Sequence, residues 1–196
     1  MSILPLGIDK LLMIKIDMIG NYVNLPLSVL KYLCDNDIEG PYYFSLSSKS
    51  NKMVYVGVKD FTCIENCIEI PGWIMDKLDG DKVKLNLIRR IKEGSYVDIE
   101  PLENSFFEIE DNDKLLESNL SEYCVLREGD IIPIRYYDRI LRVKINNVKG
   151  VEEIYDVDKN EFIKNEIKVE MIMIININLK YNYINKFEKL KFDFGD

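Results

Sequence analysis

The segment IEIPGWIMDKL, Ile68 to Leu78, holds the only tryptophan of the chain, and its layout occurs once before, as VNLPLSVLKYL from Val23 to Leu33. In both, an apolar–polar–apolar triplet reads as the end of a strand. The proline that follows fits the first turn of a helix, where its missing N–H costs nothing. The helix then sets Val29, Leu30 and Leu33 in the first copy, and Ile74, Met75 and Leu78 in the second, at the three- and four-residue spacing of one face.

The likeness extends outward. MVYVGVKDF precedes the second copy, with Val54, Val56 and Val58 alternating; LLMIKIDMI precedes the first, with Leu12, Ile14 and Ile16 alternating. After each helix come acidic turn residues with a glycine and a further alternating strand, YYFSL (Tyr42, Phe44, Leu46) and KVKLNLI (Val83, Leu85, Leu87). The unit is strand, strand, short helix, strand, used twice. The competing reading is a chance likeness between two apolar-proline-helix starts. Two units of this size cannot each enclose a core, so a true repeat predicts two halves interleaved in one closed β structure.

Composition bounds what such a structure does. The chain has 196 residues, 47% apolar and 31% charged, enough for one large or two small domains with a real core. A net charge of −8 opposes nucleic acid as the main partner, because phosphate binding relies on Lys and Arg, and it disfavours anionic membranes. The apolar N-terminal stretch is interrupted by Asp9, Lys10, Lys15 and Asp17, unlike a signal peptide, and no window approaches the ~18 apolar residues of a membrane span. The expectation is a soluble chain.

There is no histidine. Imidazole-dependent triads and metal hydrolase motifs are therefore excluded, leaving carboxylate, lysine or thiol chemistry. The carboxylates fall mainly in turns and on outward strand positions, which reads as solvation, and no Gly-rich phosphate loop occurs. Cys34, Cys63, Cys67 and Cys124 are too few and too irregular for a disulfide framework, and a zinc site would need them to converge from three segments. No cofactor and no metal are expected. Asp156, Asp158 and Asn160 begin a calcium-loop pattern, but Glu161 and Ile167 replace its glycine and bidentate glutamate, which leaves a polar turn. Asn119-Leu120-Ser121 is a glycosylation sequon by pattern, set within a helical segment.

A boundary is expected near Pro101: residues 1–101 as the repeated β unit, 102–180 as a second part, 181–196 as a tail. The acidic stretch PLENSFFEIEDND leads to a helix capped by Asn112 or Asp113, with Leu115, Leu116, Leu120, Tyr123 and Cys124 on its apolar face. IIPIRYY then turns at Tyr137 to Arg139 into ILRVKI, with Leu141, Val143 and Ile145 inward. IKVEMIMIININL follows, apolar on both faces: Ile167, Val169, Met171, Met173, Ile175 and Ile177 on one, Ile172 and Ile174 on the other. It reads as one strand buried on both faces, the alternative being an open edge. The tail sets Lys186, Lys189 and Lys191 among Tyr181, Tyr183, Phe187 and Phe192, a solvated or lightly docked strip too short for nucleic-acid binding.

Taken together, NLPLSVL (Asn24–Leu30), Gly57 of VGVKDF, IEIPGWIMDKL, GDKVKLNL (Gly80–Leu87) and NDKLLESNLSEYCVLREGDIIPIRY (Asn112–Tyr136) resemble, in order and spacing, the N-terminal domain of the ubiquitin fusion degradation protein 1 family. The resemblance spans roughly Gly20 to Ile145. It implies a mainly β, α+β fold: a double-psi β-barrel subdomain followed by a smaller α+β roll. It also implies a non-enzymatic adaptor that binds ubiquitin or polyubiquitin. With an Npl-four-type partner, such an adaptor delivers polyubiquitylated substrates to a valosin-containing-type AAA ATPase for extraction and proteasomal degradation, as in ER-associated degradation. Its setting would be the cytoplasm or nucleus, or an organelle that reuses this machinery.

The sequence departs from the family in three places. The first strand before the Leu-Pro segment is not recognisable, so Leu11–Ile19 would complete the barrel in another register. The closing Val-Asp-Phe segment after Asn146 is replaced. The Phe-x-Gly-x-Gly-x-x-Leu box that docks the ATPase is absent, since Phe192-Asp193-Phe194-Gly195 lacks its spacing. A binding surface is expected at the barrel–roll junction: Trp73 with Tyr42 and Tyr43, and the acidic Glu108, Glu110 and Asp111. Trp73 itself has two readings, an exposed anchor or, more often at such a position, a core residue. The alternatives are an interaction barrel with a different client and a carboxylate-dependent enzyme on the same fold.

Overall fold

The structure is a computed structural model describing residues 3–5, 10–89, 91–156, 159, 161–169, 171–173 and 180–183. The chain forms two compact units: Met1–Ile91 with Glu122–Val125, and Lys92–Ser121 with Leu126–Asp196. Lys92–Pro101, expected to close the first part, belongs to the second, because it is laid along a strand of that unit.

The first unit contains β1 (Ile3–Pro5), β2 (Leu11–Ile16), β3 (Tyr22–Pro26), α1 (Leu27–Asp35), β4 (Tyr43–Ser47), β5 (Met53–Cys63), β6 (Cys67–Pro71), α2 (Gly72–Leu78) and β7 (Lys82–Ile88). Their order in the sheet is β1-β7-β2-β6-β3-β5-β4, and β4 pairs back to β7, so six strands close a barrel. The pairings follow the repeat. β2 runs parallel to β6 as β5 runs parallel to β3, and β2 runs antiparallel to β7 as β5 does to β4. The two remaining pairs, β3 with β6 and β4 with β7, each join an element to its own counterpart. An internal two-fold thus relates the halves, which is the interlocked double-psi arrangement.

Pro26 and Pro71 end their strands and cap the helices one position before the first helical residue; neither can supply a side-chain cap. For α1 the missing acceptor comes from the other half: the Glu65 carboxylate accepts from Ser28 N (3.2 Å) and Ser28 Oγ (2.6 Å). At the counterpart positions the indole Nε1 of Trp73 donates to the Gly20 carbonyl at 2.7 Å. On the axis itself Asn24 and Glu69, which are 45 residues apart, are register partners, and Asn24 Nδ2 donates to Glu69 Oε2 at 2.8 Å.

The core is filled by Val29, Leu33, Ile74 and Leu78 from the helices, and by Phe44, Leu46, Val54, Val56, Leu85 and Leu87 from the strands. In β2 the inward residues are Leu11 and Met13, and Leu12 is 41% exposed. The expected set of Leu12, Ile14 and Ile16 is thus one residue out of phase; a run apolar at successive positions does not reveal its own phase.

The second unit contains β8 (Lys92–Pro101), a 3-10 turn (Asn104–Glu108), α3 (Asn112–Leu120), β9 (Val125–Arg127, whose first residue counts with the barrel), β10 (Ile131–Tyr136), β11 (Arg139–Asp156), β12 (Glu161–Lys168), β13 (Met171–Met173) and β14 (Lys180–Tyr183). The long β11 pairs antiparallel with β10, β8 and β12. Tyr137 (φ 50°) and Asp138 form the tight turn between β10 and β11, and Leu141, Val143 and Ile145 face inward as expected, together with Ile132, Ile134, Val97, Ile99 and Phe106.

Several local expectations are corrected. Asp111, not Asn112 or Asp113, caps α3, accepting from Lys114 N at 3.2 Å. The helix ends at Leu120, so Tyr123 and Cys124 are not on its face but in the barrel unit. The apolar run after Ile167 is not one strand: β12 lies antiparallel on β11, and β13 lies parallel to β8. Ile174, Ile175 and Ile177 fall outside the described residues. The stretch assigned to a tail begins within β14, which pairs parallel with Tyr96–Ile99; Lys186, Phe187, Lys189, Lys191 and Phe192–Gly195 lie outside the described residues. Asp156 faces Glu161 across the β11–β12 hairpin, and Asp158 and Asn160 are likewise outside the description.

Asn119 shows why the sequon is structural. Its amide donates to the carbonyls of Leu115 (2.9 Å) and Arg135 (3.1 Å) and accepts from Arg135 N (2.7 Å), as a neighbouring strand would. Asn119→Ala leaves the part-buried backbone of Arg135 unpaired, so urea unfolding should show a loss of about 1–3 kcal/mol, with the slope of the transition unchanged.

Candidate protein-interaction surfaces

In the barrel unit the chain returns for Glu122–Val125, where the Asn21 side chain makes several of its hydrogen bonds. Asn21 is 3% exposed; its Oδ1 accepts from Cys124 N at 2.8 Å and Cys124 Sγ at 3.2 Å, and its Nδ2 donates to the Val125 carbonyl at 2.7 Å. Two glycines make room for this segment. A Cβ at Gly57 would come within 2.6 Å of the Cys124 sulfur, and Gly20, at φ +93°, would drive one into the Glu122 carbonyl. Only glycine fits such approaches.

Two of the three aromatic candidates, Trp73 and Tyr43, lie beside this segment. Trp73 is half-buried, its N–H committed to Gly20 and its ring 6.2 Å from that of the buried Tyr123. Tyr43 and Tyr22 lie on either side of Gly57 in the β4–β5–β3 ladder. Burial pushes the Tyr43 hydroxyl up to about 12, with Cys124 and Tyr22 adding to the rise. Tyr42 packs edge-on to Phe61 at 5.8 Å, and its hydroxyl donates to the Ile38 carbonyl. These rings are fixed by the fold.

The three acidic candidates belong to the second unit. Glu108 ends the 3-10 turn, while Glu110 and Asp111 rim an open cleft of about 410 Å³. Ile109 and Leu115 line it with Tyr136 and Tyr137, whose rings meet edge-on at 4.8 Å; Lys114 and Arg135 supply the positive side. Lys114 Nζ donates to Asp111 Oδ2 at 2.6 Å, and this bond with the cap holds the Asp111 carboxyl below its usual range. A lowered carboxylate value stabilises the fold above the ordinary titration range, and the benefit is lost as pH falls through it. The cleft therefore offers apolar rings, an acidic rim and one exposed guanidinium, which is recognition chemistry. Among the described residues no three Cys, Asp or Glu side chains group as a metal site requires, and no helix is long and apolar enough to cross a membrane.

Sequence reasoning missed Asn21 and the cleft residues Lys114, Arg135 and Tyr136. Gly20-Asn21 carried a turn signal; nothing local announced that its amide would be used by residues 103 and 104 positions away.

Burial pushes the Cys124 thiol up to about 12, whereas Cys34 is exposed. Iodoacetamide at mildly alkaline pH should alkylate Cys34 in the native chain and Cys124 only on unfolding. Asn21→Ala, which orphans the Cys124 N–H, should accelerate labelling of Cys124 and cost about 1–3 kcal/mol. Because the raised thiol and Tyr43 values keep their protons in the folded state, stability should fall as pH rises from about 9 toward 12. Urea midpoints across that range test the sign.

Two family models match this chain: ubiquitin fusion degradation protein UFD1, N-terminal subdomain 1, over residues 10–93, and subdomain 2, over residues 93–179. Ubiquitin fusion degradation protein 1 of Schizosaccharomyces pombe is 31% identical over 134 residues, 66% of this chain and 39% of that protein. Ubiquitin recognition factor in ER-associated degradation protein 1 of Homo sapiens is 28% identical over 134 residues, 66% of this chain and 43% of its own length. The Dictyostelium discoideum homolog is 28% identical over 143 residues, 68% of this chain and 43% of its own. The aligned part spans about two fifths of these relatives. With a closed barrel and a smaller sheet matched in chain order by the two subdomain models, the chain belongs to the ubiquitin fusion degradation protein 1 family.

Proposed function

We propose that this chain is a non-catalytic ubiquitin-recognition domain. In this reading it binds ubiquitin or polyubiquitin and, with an Npl-four-type partner, helps hand polyubiquitylated substrates to a valosin-containing-type AAA ATPase before proteasomal degradation. The observation that carries the reading is membership of a family whose mammalian relatives are named for ubiquitin recognition in ER-associated degradation. The geometry supports it: the cleft of the second unit presents paired aromatic rings beside Glu110 and Asp111, complementary to an apolar patch with a basic rim. Glu108, Trp73, Tyr42 and Tyr43 stand as secondary candidates, since the aromatic three are partly enclosed by the barrel. The four cysteines are free thiols, which suits the cytoplasm or nucleus.

An amide-shift titration of the isotope-labelled chain with monoubiquitin and with Lys-linked chains tests this. Shifts should localise around Glu110–Leu115 and Arg135–Tyr137 and tighten with chain length. Glu110→Lys and Tyr137→Ala should each weaken binding about tenfold, as removal of an interface anchor does. A folded chain giving no shifts at millimolar ubiquitin would sink the proposal.

A further inference from the structure

The β10–β11 ribbon carries a surface of opposite character to the acidic rim. Ile132, Ile134, Leu141 and Val143 point into the core, so the alternate positions form the outer face. That face consists of three rungs, Ile131 opposite Lys144, Pro133 opposite Arg142, and Arg135 opposite Ile140. Every rung joins one apolar and one basic side chain, and the Glu103 carboxylate binds the basic member of the middle rung. Ile131 is 47% and Ile140 52% exposed, and Tyr137 at the turn is 83% exposed. Solvating such a face needs no exposed isoleucines, and a chain of net charge −8 places three cations here.

We infer that this face docks a short segment of another protein in which acidic and apolar residues alternate. The carboxylates would meet Lys144, Arg142 and Arg135, and the apolar side chains Ile131, Pro133 and Ile140. Charge complementarity selects the occupant. Arg142 already shares the Glu103 carboxylate, at 2.8 Å to its Nε and 2.7 Å to its backbone N, so it serves as one member of a network and not as a lone phosphate clamp. Half of the positions are apolar, Ile131, Pro133 and Ile140, which suits a segment that alternates apolar with carboxylate side chains and not a uniformly charged nucleic-acid backbone. The segment lies across the face and does not extend the sheet. The outer edge of β10 is closed at Arg135 by the Asn119 amide and lacks a donor at Pro133.

Fluorescence anisotropy with the full chain and a labelled peptide of alternating Glu and Leu tests this at low salt. The Glu/Leu peptide should bind, and a Glu/Ser peptide of equal charge should bind about tenfold more weakly. Lys144→Glu and Ile140→Ser, both surface changes verified by an unaltered unfolding midpoint, should each weaken it by about the same factor. The idea is overturned if the Glu/Leu peptide does not bind, if the two peptides bind alike, or if the variants bind as the parent does. Tighter binding of a DNA oligonucleotide to the same residues, or sedimentation showing the face covered in a dimer, overturns it as well. Ubiquitin titrations of the same variants separate this inference from the proposed function: Lys144→Glu should leave ubiquitin shifts in place.

Discussion

Neither half of the barrel possesses the neighbours its strands require. β2 finds its parallel partner in β6 and β3 finds its own in β5, so each half supplies the backbone donors and acceptors that the other lacks. Unpaired buried backbone groups are costly, so each half depends on the other for its pairing. The same exchange extends to side chains: Glu65 completes the start of α1 and Gly20 receives the Trp73 indole, two contacts at related positions that cross between the halves. The prolines explain the need. A strand that ends in proline enters its helix with the right φ and no side-chain cap, and for α1 the acceptor is imported from Glu65.

The second unit solves a different problem with similar means. Among the described residues no pairing closes its sheet, and an open edge invites pairing with other chains. β10 is guarded by a proline and by an asparagine amide that imitates a strand, while β11 is long enough to serve β10, β8 and β12 in turn. What remains exposed is side-chain chemistry: a cleft rimmed by Glu110 and Asp111 at one end of the ribbon and a basic–apolar checkerboard along it. The two surfaces differ in charge and meet at Arg135, which lines the cleft and also forms the last rung of the ribbon face.

How much of this could be read from residues alone divides along physical lines. The internal repeat was legible because both copies carry proline at the same point and helix contacts at equal spacing, and the two-fold follows from it. The hairpin at Tyr137 was legible from alternation on either side. The phase of β2 was not, since Leu11 to Ile14 are all apolar and only the partner strands decide which residues point inward. The end of α3 was hidden too: Tyr123 and Cys124 continue the helical spacing but are drawn away by Asn21 and Trp73, contacts too distant in sequence to predict. The cleft was half visible, through its acids, because charge is a local property and the convergence of Arg135, Tyr136 and Tyr137 on them is not.

The return of Glu122–Val125 to the barrel has a consequence for how this protein is made. During synthesis the barrel's strands are complete once Ile88 has emerged, yet the Asn21 amide and the space above Gly57 and Gly20 wait for residues more than thirty positions later. Until then the Asn21 amide lacks the partners it has in the folded protein. The second unit is thus begun before the first is sealed. A chain cut after Ile91 would leave the barrel without its last four residues, and so without the groups that Asn21 binds.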